Sequence, residues 1–224
     1  MVPKLLTPPQ AAAVGILTRV SPPTQITPST TAAPALKEWA AIVHALLEGE
    51  QIIDVRKGGL REDGRHFELS SRRLWLYPTA EHQKPELLKP AYRHWVDLAT
   101  AAPVGAAITI AGWADVTDVA TITEAEHLDA IASKLIWTDE YASSRLKWKK
   151  RDALWVLVLR AHRLDEPITV SWDDAYGGCT SWVDLGGLPA DPSTAASHPA
   201  LSDVAFASKQ KGVRESLPAE CWES

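Results

Sequence analysis

Four short stretches of the sequence carry side chains able to do chemistry. In Arg56-Lys57-Gly58-Gly59, two cations stand beside two glycines. Backbone N–H groups and basic side chains can converge there on an oxyanion, as in phosphate cradles. The stretch does not match the GxxxxGK[ST] pattern of a nucleoside-triphosphate loop, and a plain glycine turn explains it equally well. In Thr79-Ala80-Glu81-His82-Gln83, an imidazole that titrates near neutrality stands beside a carboxylate and an amide. Glu81 and His82 are the candidate acid–base pair, and Gln83 a candidate ligand contact. The same residues also suit the first turn of a helix capped by Thr79. In Tyr176-Gly177-Gly178-Cys179-Thr180-Ser181-Trp182, the glycines allow close backbone approach, and Cys179, Ser181 and Trp182 follow as candidate ligand contacts. A nucleophile there needs a base in reach, and His82 is the candidate. The alternative is a buried thiol and a core indole. In Arg145-Leu146-Lys147-Trp148-Lys149-Lys150-Arg151, an indole is interleaved with cations, a pattern suited to pairing with phosphates and stacking on bases. Arg145, Lys147, Trp148 and Lys149, together with Arg72, complete the predicted binding set.

Charge is segregated. Residues 56–73 hold six basic side chains against three acidic ones, and residues 145–163 hold seven against one, in a chain of net charge −5. Such segregation can set a basic cleft into an acidic body. Tryptophan is abundant, with ten copies against four tyrosines and two phenylalanines, which supplies core anchors or stacking surfaces. The seven histidines are scattered, without HExxH or CxxC spacing, so no metal site is predicted. A restriction-type nuclease core would use a helix glutamate, a strand aspartate and then [DE]-x-K. Glu38 and Asp54 fit the first two, but Asp54-Val55-Arg56 has arginine where lysine belongs. The sequence points to no cofactor.

The elements that must position these residues follow from periodicity. Residues 1–34 are rich in Pro, Thr and Ala and read as a disordered tail. Leu36, Trp39, Val43 and Leu46 recur at helical spacing, so a helix is expected over residues 35–47, ended by Gly49. Strands are expected over Gln51–Arg56 and Phe67–Tyr77, and a helix over 84–98. A strand at 106–119 precedes a helix at 124–135 capped by Thr123 and Glu126. A loop or short helix over 138–150 leads to the apolar run Ala153–His162, which reads as a central strand buried on both faces. Ile168–Trp172 reads as a separate short strand. Residues 189–224 read as a loose tail with a short helix near Leu201–Ser208. The sum is an α+β fold, with a mixed or antiparallel sheet and about three helices in one domain over residues 35–188.

The strings ALKEWAAIVHALLEGEQIIDVRKGG (35–59), LYPTAEHQ (76–83), VLVLRAHRLDEPITV (156–170) and YGGCTSWVDL (176–185) resemble the bacterial "domain of unknown function 1802" family. The resemblance spans about residues 35–188. It implies a bacterial cytosolic setting and transfers no mechanism. In fold terms alone, the second half is similar to RNA-binding PUA-like barrels.

Two cysteines, Cys179 and Cys221, are expected as reduced thiols in the cytoplasm. No apolar run reaches the ~20 residues that cross a bilayer, so no membrane partner is expected. Three functions fit the sequence. The first is a nucleic-acid or nucleotide-binding module whose basic cleft takes RNA, DNA or a phosphorylated small molecule. The second is a phosphodiesterase- or nuclease-like enzyme. The third is a protein-interaction module.

Overall fold

The computed structural model describes residues 33–57, 71–98, 105–147, 153–178 and 180–223. Gly58, Gly59, Trp148, Lys149 and Cys179 lie outside the described residues, as does nearly all of the expected tail over residues 1–34.

The fold is α+β. Strands β1 (Pro34–Trp39), β2 (Ile53–Lys57), β3 (Arg73–Thr79), β4 (Ile108–Ile122), β5 (Leu154–Val170), β6 (Trp182–Asp184) and β7 (Ser197–Pro199) form one sheet. Its order is β2-β5-β4-β3-β1-β6, with β7 pairing onto β5. The pair β1–β3 is parallel and the others are antiparallel, so the sheet is mixed. Five α-helices accompany it among the described residues: α1 (Ala40–Leu47), α2 (Trp95–Leu98), α3 (Ala125–Ala132), α4 (Asp139–Lys147) and α5 (Asp203–Arg214).

Strand alternation separates two cores. Leu36, Leu74 and Leu76 point into a large core with α1, while Ala35, Trp75 and Tyr77 point into a second on the other face. All of α1 except His44 is buried, as expected of a helix apolar all round. It ends in a Schellman motif. Gly49, at φ 70°, donates its N–H to Leu46, and Glu50 donates to Ala45.

Several expectations need correction. The helix expected from residue 35 begins at Ala40, and the residues before it form β1. Pairing with β3 and β6 buries that segment on both faces and outweighs its helical spacing. Residues 84–98 are not one helix, because Pro85 and Pro90 each open a separate 3₁₀ turn ahead of α2. The capping box at Thr123 does not form. Glu124 is the N-cap of α3, and no side chain caps it. The two strands expected over 153–172 are one long strand, β5, paired to β4 through two register shifts. At the first shift sits Gly112, where a Cβ would collide with the His162 carbonyl. Within the expected loose tail, residues 189–223 are ordered into elements. They form β7 and α5, and Phe206, Val213, Leu217 and Cys221 are buried in the large core.

The linear strand order hides a closure. Arg56 of β2 donates from Nη1 to Glu38 Oε2 of β1 at 2.6 Å and from Nη2 to the Lys37 carbonyl. The strand at one end of the ladder order therefore meets the strand next to its other end, so the sheet is rolled. The β2–β1 seam is bridged by these side-chain contacts.

Candidate functional site

The seam opens into a cavity of about 340 Å³. Its walls come from five separate stretches. The end of β1 supplies Lys37, Glu38 and Trp39, and the end of β2 supplies Arg56 and Lys57. The turn after β3 supplies Glu81 and His82. Trp137 precedes α4, and Tyr141 and Arg145 stand one turn apart on it. Gly178, Thr180 and Ser181 precede β6. Among the predicted residues, Arg56, Lys57, Glu81, His82, Arg145 and Ser181 thus surround one concavity.

The other predicted residues within the described chain lie elsewhere. The Gln83 amide oxygen accepts from the Ala41 N–H at 2.9 Å, so this side chain satisfies one of the first-turn donors of α1 that have no partner within the helix. Arg72 is exposed and reaches toward the Val116 carbonyl. Lys147 is exposed at the last position of α4. Trp182 packs against the large core.

Sequence reasoning missed Lys37, Trp39, Trp137 and Tyr141, and considered Glu38 only as a helix residue. The Lys-Glu pair inside an otherwise apolar run is the signal that could have found Lys37 and Glu38. Lys37 is 5% exposed. Its ammonium donates to Glu81 Oε2 at 2.8 Å, the Tyr176 carbonyl at 3.0 Å and the Gly178 carbonyl at 2.8 Å. All three of its donors are used, and they tie the β3 turn to the glycine loop. Both tied segments contain left-handed backbone. Gly178 has φ 77°, which glycine adopts freely. His82 has φ 60°, a sparsely populated conformation for a side-chain-bearing residue.

Glu38 is 6% and Asp54 0% exposed. Glu38 Oε1 accepts from the Trp39 N–H at 2.6 Å, and Oε2 accepts from Arg56. Arg56 Nε also stands 3.1 Å from Asp54 Oδ2, an ion pair without hydrogen-bond alignment. Both Asp54 oxygens lack a hydrogen-bond donor among the described residues. Burial pushes the Glu38 carboxyl up to about 7; Arg56 opposes that shift and Asp54 adds to it. A proton held between the two carboxyls would supply the donor that Asp54 lacks. Burial works against the charge of Arg56 as well, but Asp54 and Glu38 outweigh it and hold the guanidinium above its ordinary value.

Beside this cluster stands an aromatic wall. Trp39 and Tyr141 stack with centroids 5.1 Å apart and planes at 18°, and Trp137 meets both edge-on. Trp137 is 3% exposed, and its indole N–H has no acceptor among the described residues. Lys57 donates to the Leu146 carbonyl at 3.0 Å, which links β2 to α4. Of the described lining residues, four are cationic (Lys37, Arg56, Lys57 and Arg145) against two carboxyls, one of them the raised Glu38. With Asp54, which pairs with Arg56, the balance is four cations to three carboxyls, a small cationic excess. No group of three or more metal-binding side chains occurs among the described residues, and no helix there is long and apolar enough to cross a membrane.

No curated protein matches the chain. Among solved structures, ASCH from Zymomonas mobilis is similar at 14% identity, with a TM-score of 0.41, over 68% of this chain and 86% of that one. A point mutant of the Zymomonas mobilis protein is similar at 12% identity, with a TM-score of 0.40, over 69% and 91%. The family model described as Domain of unknown function (DUF1802) matches residues 35–212, and the chain belongs to that family.

Proposed function

We propose that the seam cavity binds a phosphate-bearing ligand, a nucleic acid or a nucleotide, in a cytoplasmic protein. The observation that carries this reading is the convergence of Arg56, Lys57 and Arg145, from β2 and α4, beside the aromatic wall of one cavity. Cations alone would serve any anion. Cations beside indole and phenol rings suit a ligand that is anionic at one end and flat and apolar at the other. Lys57, at the end of β2, and Arg145, on α4, are assigned the phosphate.

Fluorescence anisotropy with labelled single-stranded RNA and DNA, over a series of salt concentrations, tests the reading. Binding should weaken steeply with salt. Lys57→Ala and Arg145→Ala should each lower affinity for every sequence alike and reduce the salt slope by about one. Absence of binding at low salt, or binding indifferent to salt, refutes it.

A second reading, phosphodiester hydrolysis, is favoured by one observation: Glu38 sits in the cavity with a carboxyl pushed to about 7. In this reading Glu38 carries the proton, because Glu81 is held by Lys37. Glu38→Gln should then bind oligonucleotide normally and abolish any cleavage seen with the wild type.

A further inference from the structure

We infer that the cavity receives the base of a single unpaired nucleotide, so that the ligand is recognised by an unstacked base as well as by its phosphate. This rests on the phosphate-binding reading above and adds the substrate class.

Three observations carry it. The first is size. At about 340 Å³ the cavity lies at the small end of ligand sites, which run from ~300 to ~1,000 Å³. It suits one nucleotide unit, and a base inside a duplex is stacked and paired and cannot enter. The second is the half-buried ring of Tyr141, which already stacks on Trp39. A base laid on the outer face of Tyr141 would continue that stack, as unpaired bases do on aromatic side chains. The third is Trp137, whose ring lines the cavity and whose indole N–H is buried beneath it without an acceptor among the described residues. A buried donor left unmade is unfavourable, and native proteins rarely keep one without a reason. A ring nitrogen or carbonyl of a base supplies the acceptor once the indole turns its N–H into the cavity. The ribose or deoxyribose can then lie toward the cavity mouth, with the phosphate on Lys57 and Arg145. Either RNA or DNA satisfies this chemistry.

The test compares three labelled probes on the wild-type protein by anisotropy, each in a ribose and a deoxyribose version. One is a short single strand, one is the same backbone without bases, and one is the strand annealed to its complement. The single strand should bind at least about tenfold more tightly than the base-free backbone, in line with the energy of base–aromatic stacking. The duplex should behave like the base-free backbone. Trp137→Phe keeps the ring and removes the N–H; it should weaken binding of the single strand and leave the base-free backbone unaffected. Tyr141→Ala should bring the two to the same affinity. Equal affinity of wild-type protein for the base-bearing and base-free strands overturns the inference, while the phosphate reading stands. Failure of every probe to bind removes both. The first comparison needs no variant, so it decides the matter even where Tyr141→Ala does not fold.

Discussion

At Glu38 the fold acts on a single proton. The carboxyl is buried beside Asp54, and burial pushes it up to about 7, above its ordinary value of 4.5. A raised carboxyl favours the protonated folded state, so the folded protein holds more of this proton than the unfolded chain between these two values. The stabilisation is complete below about 4.5 and is lost as pH rises through about 7. Over the whole window the contribution is on the order of 3 kcal/mol as an upper bound. Glu38→Gln mimics the protonated carboxyl and removes the titration. Urea unfolding at several pH values from 5 to 8 should show the wild type losing stability relative to Glu38→Gln as pH rises. Parallel curves for the two proteins would refute the proton assigned to this pair. Lys37 makes the complementary point. Its ammonium has three acceptors, so its cost of burial is met by geometry.

At the scale of elements, α5 carries the clearest consequence. It starts at Ser202, whose hydroxyl accepts from the Ala205 N–H, and it buries Phe206 and Val213 in the large core. Phe206→Ala should cost about 3–5 kcal/mol, measured by urea unfolding with a single transition. A loss below about 1 kcal/mol would mean that α5 is peripheral to the core. Local chemistry made some elements legible in the sequence. Gly49 marks the end of α1, and the run from Ala153 marks a strand buried on both faces. What the sequence hid is long-range. Leu36 and Trp39 repeat at helical spacing, yet β1 forms because β3 and β6 flank it, and neither neighbour is close in sequence. Phe206 and Val213 stand seven residues apart in a polar stretch, which gives little apolar density for a helix that tertiary packing completes. The site divides the same way. Arg56, Lys57, Glu81, His82, Arg145 and Ser181 stand out as polar groups in turns or at the ends of elements, whereas Trp39 and Trp137 read as core until the rolled sheet places them on a cavity wall.

For the whole molecule the seam decides what opens. The large β4–β5 ladder runs along thirteen residue pairs, whereas β2 meets β1 through Arg56, Glu38 and the Lys37 carbonyl. Removing the guanidinium leaves two buried carboxyls without their cation, a change that costs about 3–5 kcal/mol in comparable buried pairs. Arg56→Ala should therefore destabilise the protein by that amount. Its effect should also be local: hydrogen exchange should quicken first at the ends of β1 and β2 and in the turn around His82, while β4 and β5 stay protected. Arg56→Lys keeps a charge but not the fork that reaches Glu38, Asp54 and the Lys37 carbonyl together, so it should recover only part of the loss. Lowering the pH to 5 should soften the Arg56→Ala defect, because the carboxyl raised by burial then takes up its proton and leaves less charge unpaired. An Arg56→Ala protein that exchanges faster everywhere, or whose defect does not change with pH, would show that the seam is held by something other than this charge cluster.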